Sequence, residues 1–331
     1  MHSSLTLKGT VFSPPRFCAP MAGVTHSAFR RLLSEFGGYG ALFTEMLAGR
    51  ALLGECVGRS PYTRRRPEEG RVIYQLLLRD ADRLSEMVER LKPCEPAGLD
   101  LNCACPAPDA RFQKAGGELF EDPVRLSAIL TGLRAVWAGP LSVKIRLGKN
   151  TPGWEERLAQ RLRLFEECGV DAVIVHPRFF DEKLKRSSRL NLLPWLVTLT
   201  RLPLVASGDI AGPATVAAHP DWFAGVAGIM IGRMAVARPW LFADWDQPPR
   251  SPDYREVWFR LCAYVCEDFP PEKAFLRMKQ FTAYYARNFA FGQQLAAASQ
   301  SAPDLETQRD RAARFFDSPQ PIVSQPDFSG V

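Results

Sequence analysis

The sequence predicts an α/β fold: a (β/α)8 TIM barrel followed by a small C-terminal helical domain. Three observations lead there. The chain has 331 residues, which suits a barrel of roughly 250 residues with a smaller unit attached. Up to about residue 245, eight short apolar runs bounded by turn residues alternate with helix-period stretches, the pattern of repeated βα units. Most of those runs are continuously apolar instead of alternating, as strands buried on both faces of a parallel sheet should be.

In chain order the strands are expected at residues 16–21, 40–45, 71–77, 97–102, 140–146, 171–176, 202–207 and 227–232. Helical periodicity fills the intervals at 27–36, 81–91, 123–136, 154–168 and 192–199. Eight strands in this alternation close most naturally into a barrel, giving a catalytic domain over residues 1–246. Residues 247–252 carry three prolines in six positions and read as a linker. Beyond it, 254–268, 272–291 and 304–316 are helical in period with little strand propensity, so 253–317 is expected to be a small helical bundle. The last stretch, 318–331, is rich in Pro, Ser and Gln and is expected to be a flexible tail.

With 46% hydrophobic and 24% charged residues, the composition is that of a soluble globular protein. The apolar runs are too short to span a membrane and the N-terminus lacks a signal-peptide pattern, so a cytoplasmic, membrane-free protein is expected; a monomer is the separate expectation for its oligomeric state. Eight cysteines in this length are no secreted scaffold, and Cys18, Cys56, Cys94, Cys168, Cys262 and Cys266 read as small buried residues. Cys103 and Cys105 lack further Cys or His ligands nearby, so no metal is expected. A net charge of +6 permits a polyanionic partner without requiring one.

Barrel chemistry sits at the C-terminal ends of the strands. The loops after strands seven and eight form the customary phosphate site of this architecture, where backbone N–H groups meet the anion. Ser207-Gly208-Asp209 and Gly232-Arg233 suit it, since Gly permits close backbone approach and Arg233 offers a planar cationic fork. Lys144 near the end of strand five needs an anionic partner, because an uncompensated buried charge is costly. If the phosphate belongs to a flavin, Lys144 would hold the N1–C2 edge and Gln75 the pyrimidine edge. The alternative is a carboxylate inside the barrel, such as Glu45. Cys105 follows Asn102 by three residues at the mouth of strand four, where a lone thiol serves either packing or chemistry.

Taken together, these motifs resemble the tRNA-dihydrouridine synthase family. The resemblance rests on Ala19-Pro-Met-Ala-Gly23, Thr44-Glu-Met46, Gln75-Leu76, Asp100-Leu-Asn-Cys-Ala-Cys-Pro106, Lys114-Ala-Gly-Gly117, Val143-Lys-Ile-Arg-Leu-Gly148, Val175-His-Pro-Arg178, Val205-Ala-Ser-Gly-Asp-Ile210 and the run from Ile231 to Pro239. Arg277-Met-Lys279 with Tyr284-Tyr285 is similar to the family's C-terminal helical domain. The resemblance implies FMN as cofactor, NADPH as reductant, tRNA as partner, and saturation of the C5–C6 bond of uridine. It matches the catalytic cysteine to Cys105, whose thiol would protonate C5 after hydride reaches C6; an ordinary cysteine pKa of about 8.5 keeps such a thiol protonated at neutral pH. Cofactor contacts are expected from Pro20, Met21, Ala22, Gln75, Lys144, His176, Ser207, Gly208, Asp209, Gly232 and Arg233, and substrate contacts from Asn102, Arg178, Arg277 and Lys279.

A uracil within folded RNA must be flipped from its stack to meet a flavin, which calls for an open, basic mouth. Arg178, Lys183, Lys185, Arg186 and Arg189 against Asp181 and Glu182 give the loop after strand six an excess of three positive charges. Arg59, Arg64, Arg65 and Arg66 precede strand three, on the opposite face, and read as solvated surface. Within 273–287, Lys273, Arg277, Lys279 and Arg287 face no acidic residue and form a candidate RNA-binding stripe. The chain departs from the family pattern at Ala104 in place of glycine, with the extra thiol of Cys103, within Gln75-Leu-Leu-Leu78, at Ser207 in place of asparagine, and in the loop after His176. Competing readings are an FMN barrel acting on a small pyrimidine or enoate, and a catalytically silent RNA-binding flavoprotein.

Overall fold

The computed structural model describes residues 3–182, 186–248, 250 and 252–328. It opens with a feature too short for sequence periodicity to register. Strands β1 (Leu5–Leu7) and β2 (Thr10–Phe12) form an antiparallel hairpin turned by Lys8 and Gly9, both at positive φ. Leu5, Leu7 and Phe12 then pack on Phe17, Ile73, Ile174 and Met230, so the hairpin plugs one end of the barrel.

The barrel strands are β3 (Arg16–Cys18), β4 (Ala41–Phe43), β5 (Leu47–Ala48), β6 (Val72–Leu77), β7 (Gly98–Cys103), β8 (Leu141–Ile145), β9 (Ala172–Val175), β10 (Leu204–Ser207) and β11 (Gly228–Ile231). Every pairing among them is parallel. β11 pairs with β3, and β4 pairs with β6, so eight strands close into a cylinder, as the alternation predicts. β5 extends the second strand after a break and adds to the upper part of β6 through Leu47 and Leu76.

The period of two along each strand sorts its side chains. Outward residues such as Leu99, Leu101, Val143, Ile145, Val173 and Val175 join the core shared with the surrounding helices. Inward residues are apolar at the plugged end and polar at the other. Ile73 gives way to Gln75, Ile174 to His176, and Val205 to Ser207. The strands thus carry their polar groups to one mouth, the C-terminal one.

Helices Ser27–Phe36, Pro123–Val136 and Trp154–Glu167 lie at the expected places, Leu84–Leu91 begins three residues later than expected, and the stretch expected over 192–199 holds one short helix, Leu193–Leu196, between two 3-10 turns. Asp122 caps one of them, accepting from the Arg125 backbone N–H at 3.0 Å, with Pro123 in the first turn. The C-terminal region is helical throughout: Tyr254–Asp268, Pro271–Tyr285, Gly292–Gln300 and Leu305–Phe316. The single helix expected over 272–291 breaks at Tyr285, and the chain turns so tightly that a side chain at Gly292 would strike the Ala286 carbonyl.

The helical region is joined to the barrel by a continuous apolar core and by ion pairs. Here the reading of the arginine cluster as solvated surface is corrected for Arg64, Arg65 and Arg66, while Arg59 is exposed as expected. Arg64 and Arg66 donate to the buried carboxylate of Asp268 at 2.8 and 2.7 Å, and Arg65 pairs with Glu95. Arg30 and Glu69, both wholly buried, meet at 2.6 Å beneath this junction. A sequence reading by faces of the barrel overlooks that a C-terminal helix comes back to cover that side.

The tail also differs from its expectation. Val323 donates its N–H to the Asn288 carbonyl at 2.8 Å, the Ala290 N–H reaches Pro321, and Arg238 donates to the Val323 carbonyl at 2.8 Å. The Phe328 ring lies against Tyr284 and under the Arg233 guanidinium. Backbone bonds and an aromatic anchor, invisible to composition, hold residues 321–328 on the domain. Pro249 and Ser251 of the expected linker lie outside the described residues.

Candidate active site

A cavity of about 620 Å³ opens at the C-terminal mouth of the barrel. Its floor and walls come from the ends of β3, β8, β9, β10 and β11, through Met21, Lys144, His176, Ser207 and Gly232. Pro20 lines it too, whereas Ala22 is turned to solvent. The glycines explain why the strand ends approach so closely. Gly208 has φ +102°, and a Cβ there would come within 2.5 Å of the His176 ring. At Gly232 a Cβ would press to 3.0 Å from the Met21 sulfur.

Asp209 organises the cationic side of this cavity. Its carboxylate accepts from Arg178 Nη2 at 2.6 Å, from Arg233 Nη2 at 2.7 Å and from the Ser188 backbone N–H at 2.7 Å. The Asp209 side chain therefore holds two guanidiniums in place and does not itself offer an anion site. Arg178, only 2% exposed, is bound into this corner beside His176 instead of reaching out towards the mouth. Burial and the surrounding cations, Lys144 first among them, push the His176 pKa well below its usual value, so the ring is neutral at neutral pH.

Lys144 lines the same cavity and makes no hydrogen bond or ion pair among the described residues. The alternative pairing with Glu45 is not formed, since Glu45 accepts from the Gly23 N–H at 2.7 Å. Burial and the neighbouring Arg146 lower the Lys144 pKa to about 8, against the attraction of Asp100. The group thus stays largely cationic at pH 7. Arg146, two residues on and on the same inward face, also lines the cavity, as does Arg186. Arg186 belongs to the basic loop expected at the mouth, whereas Arg146 was not among the expected contacts, though alternation along β8 puts it on the same face as Lys144.

Asn102 and Gln75 lie beneath the mouth, both buried. The Asn102 carbonyl oxygen accepts from the backbone N–H groups of Ala104 and Cys105, at 3.1 and 2.9 Å. The turn so formed separates the two thiols. Cys103 is wholly buried on the outer face of β7, where burial drives its pKa well up, whereas Cys105 is partly exposed. Cys105 opens onto an adjoining pocket of about 240 Å³ shared with Lys149, Phe180 and Asp181. Gly116 and Gly117 pack on it closely: the Gly117 N–H reaches the Cys105 carbonyl at 3.0 Å, and a Cβ on Gly116 would lie 2.8 Å from that oxygen. Ala104 adopts no positive φ, so its methyl group costs no backbone strain.

The C-terminal helix 271–285 reaches the rim: Gln280 covers Gly23 so closely that a Cβ there would collide with its amide. Arg277 bonds Tyr62 Oη at 2.7 Å and Gln280 at 2.9 Å while stacking on Tyr62 and Phe269. Lys279 is committed inward, donating to the carbonyls of Gln300 and Ala302. In the loop after β9, Arg189 is bound by Glu182, and Lys183 and Lys185 lie outside the described residues. Tyr284 and residues 325–328 complete the cavity wall; the tail's part has no sequence signal because it depends on how the chain returns.

A family model described as dihydrouridine synthase matches residues 17–312. The chain belongs to the dihydrouridine synthase family. Among relatives, tRNA-dihydrouridine synthase B of Escherichia coli is 27% identical over 318 residues, covering 91% of this chain and 95% of its own. A probable tRNA-dihydrouridine synthase of Treponema pallidum is 28% identical over 268 residues, covering 77% and 75%. Among solved structures, the old yellow enzyme of Trypanosoma cruzi superposes with a TM-score of 0.53 at 8% identity, covering 80% of this chain and 97% of its own. Histamine dehydrogenase of Rhizobium sp. 4-9 gives 0.56 at 10% identity, covering 79% and 50%. Both structural likenesses concern the barrel fold. Among the described residues, no helix is long and apolar enough to cross a membrane.

Proposed function

We propose that the chain reduces uridine to 5,6-dihydrouridine in tRNA, with FMN as cofactor, NADPH as reductant and Cys105 as proton donor. The observation that supports this best is the unpartnered Lys144 in a cavity that also gathers Arg146, Arg178, Arg186 and Arg233, beside a partly exposed thiol on the next strand end. So concentrated a set of cations against the carboxylates of Asp209 and Asp327 favours a bound anion. The glycine cradle and the residue types fit a flavin phosphate.

In this reading Arg233 and the N–H groups after β10 and β11 hold the phosphate, with Arg178 fixed behind them by Asp209. Lys144 faces the electron-rich N1–C2 edge, and Pro20 and Met21 form the apolar wall. A bound FMN would supply hydride to C6 of the uracil. Cys105 delivers the proton to C5, which closes the balance of one hydride and one proton added across the double bond. Neutral His176 donates or accepts a hydrogen bond without adding charge. RNA is held by cations about the mouth, Arg186 and the exposed Lys273 among them, with Arg277 placed at the rim.

The test is direct. Purified protein should be yellow and should form dihydrouridine in unmodified tRNA, detected by mass spectrometry of nucleosides. Cys105→Ala should keep its flavin and its NADPH oxidation while product formation nearly stops, and Cys103→Ala should be mild. A colourless protein that takes up no FMN would sink the flavin assignment. Loss of product in the reverse order of the two mutants would move the proton donor to Cys103.

A further inference from the structure

Four side chains inside the barrel form one directed chain of hydrogen bonds that ends on the backbone after β7. Ser142 on β8 donates its hydroxyl to Asp100 Oδ1 at 2.5 Å. Gln75 on β6 donates Nε2 to Asp100 Oδ2 at 2.6 Å. Asn102, two residues beyond Asp100 on β7, donates Nδ2 to Gln75 Oε1 at 2.8 Å. The Asn102 Oδ1 is then left to accept from the Ala104 and Cys105 backbone N–H groups. Asp100, Gln75 and Asn102 are all buried, with no solvent to substitute for a lost partner.

The direction of this chain is set at one end. A carboxylate flanked by Ser142 and Gln75 accepts from the amide, so Gln75 must present its NH2 group there and its oxygen to Asn102. Asn102 must in turn present NH2 to Gln75 and its oxygen to the turn. Reversing any amide would set two buried donors or two buried acceptors face to face, leaving groups unsatisfied. Burial raises the Asp100 pKa to about 7, against the two hydrogen bonds and Lys144. A proton taken on the Ser142 side would leave the Gln75 bond and the direction of the chain intact.

We propose that Asp100 is a positioning residue for Cys105: through Gln75 and Asn102 its carboxylate dictates the amide polarity that grips the turn and so aims the thiol. The inference rests on Cys105 being the proton donor. It predicts a rescue that a merely structural role would not give. In Asn102→Asp the group still accepts from the turn but faces the Gln75 oxygen with a second acceptor. Adding Asp100→Asn lets the whole chain reverse, with residue 100 donating to Gln75 and Gln75 donating to residue 102. The turn keeps its acceptor throughout.

The experiment uses the flavin-loaded full chain, with two readouts: the melting midpoint, and the rate at which iodoacetamide labels Cys105, followed by peptide mass spectrometry. Asn102→Asp should melt about 1–2 °C lower and label Cys105 about fivefold faster, the factor of one lost net hydrogen bond. Asp100→Asn alone should be mild, because its amide oxygen still accepts from Gln75. The double variant should return both readouts to the level of Asp100→Asn. A double variant no better than the sum of the two singles would overturn the proposal. Should Asn102→Asp not fold, Asp100→Ala against Asp100→Asn repeats the comparison: labelling should be faster only in the alanine variant, and equal labelling would overturn the proposal. Reoxidation of reduced flavin by saturating tRNA should slow in Asp100→Ala while flavin reduction by NADPH does not. If wild-type protein made no dihydrouridine, the functional reading would fail while melting and labelling still reported on Asp100.

Discussion

Replacing Lys144 by methionine should stabilise the flavin-free protein while removing its affinity for FMN. Inside the folded chain the ammonium faces Arg146 and His176 as well as Asp100 and Cys105, and burial dominates, so its pKa falls from 10.5 to about 8. At 1.36 kcal/mol per pH unit this corresponds to about 3 kcal/mol by which the charged lysine opposes folding below pH 8. The folded pKa lies under the unfolded one, so between about pH 8 and 10.5 the unfolded chain binds more protons and wild-type stability rises with pH. Lys144→Met has no such group to titrate. Its gain over wild type should approach about 3 kcal/mol at pH 7, less what Asp100 loses with its neighbouring cation, and should vanish towards pH 10.5. Urea unfolding of flavin-free protein at pH 7, 8.5 and 10 measures this, and flavin fluorescence titration measures the loss of FMN binding. A variant less stable than wild type at pH 7, or a gap that does not change with pH, would refute the reasoning.

Arg233→Ala should weaken FMN binding by about 10–100-fold, the worth of a charge-assisted hydrogen bond, measured by fluorescence titration; unchanged affinity would remove Arg233 from the phosphate site. Glu69→Ala strands the wholly buried Arg30 and should cost about 3–5 kcal/mol in urea unfolding, whereas the apolar pair Arg30→Met with Glu69→Leu should recover most of it. Deleting residues 324–331 takes Phe328 off Arg233 and Tyr284 and should speed release of bound FMN, followed by the rise of free-flavin fluorescence after dilution. An unaltered release rate would mean that the segment rests on the cavity rim without closing it.

The sequence by itself determined the barrel and the strand ends that carry its chemistry. Parallel strands covered by helices must be apolar along their length, and their place at the C-terminal strand ends then brings Lys144, His176 and Ser207 to the mouth without any coordinates. The family resemblance, resting on motifs in chain order, added the expectation of Cys105. Boundaries slipped by a residue or two at most strand ends, by three at the start of Leu84–Leu91, and where a helix is broken, as at the Gly292 turn. What periodicity cannot carry is contact between segments distant in the chain. Asp268 gathers Arg64 and Arg66 from some 200 residues away, which turned an apparently solvated patch into a buried junction. Asp209 was expected to join the phosphate site, and only its geometry reveals that its carboxylate spends both oxygens on Arg178 and Arg233. The tail was written off by composition, yet three backbone and guanidinium bonds and one ring seat it on the cavity. Asp100 and Gln75 are adjacent because β6 and β7 pair in a register that no single strand specifies. Local pattern fixes which way a side chain faces; closure of the barrel decides whom it meets.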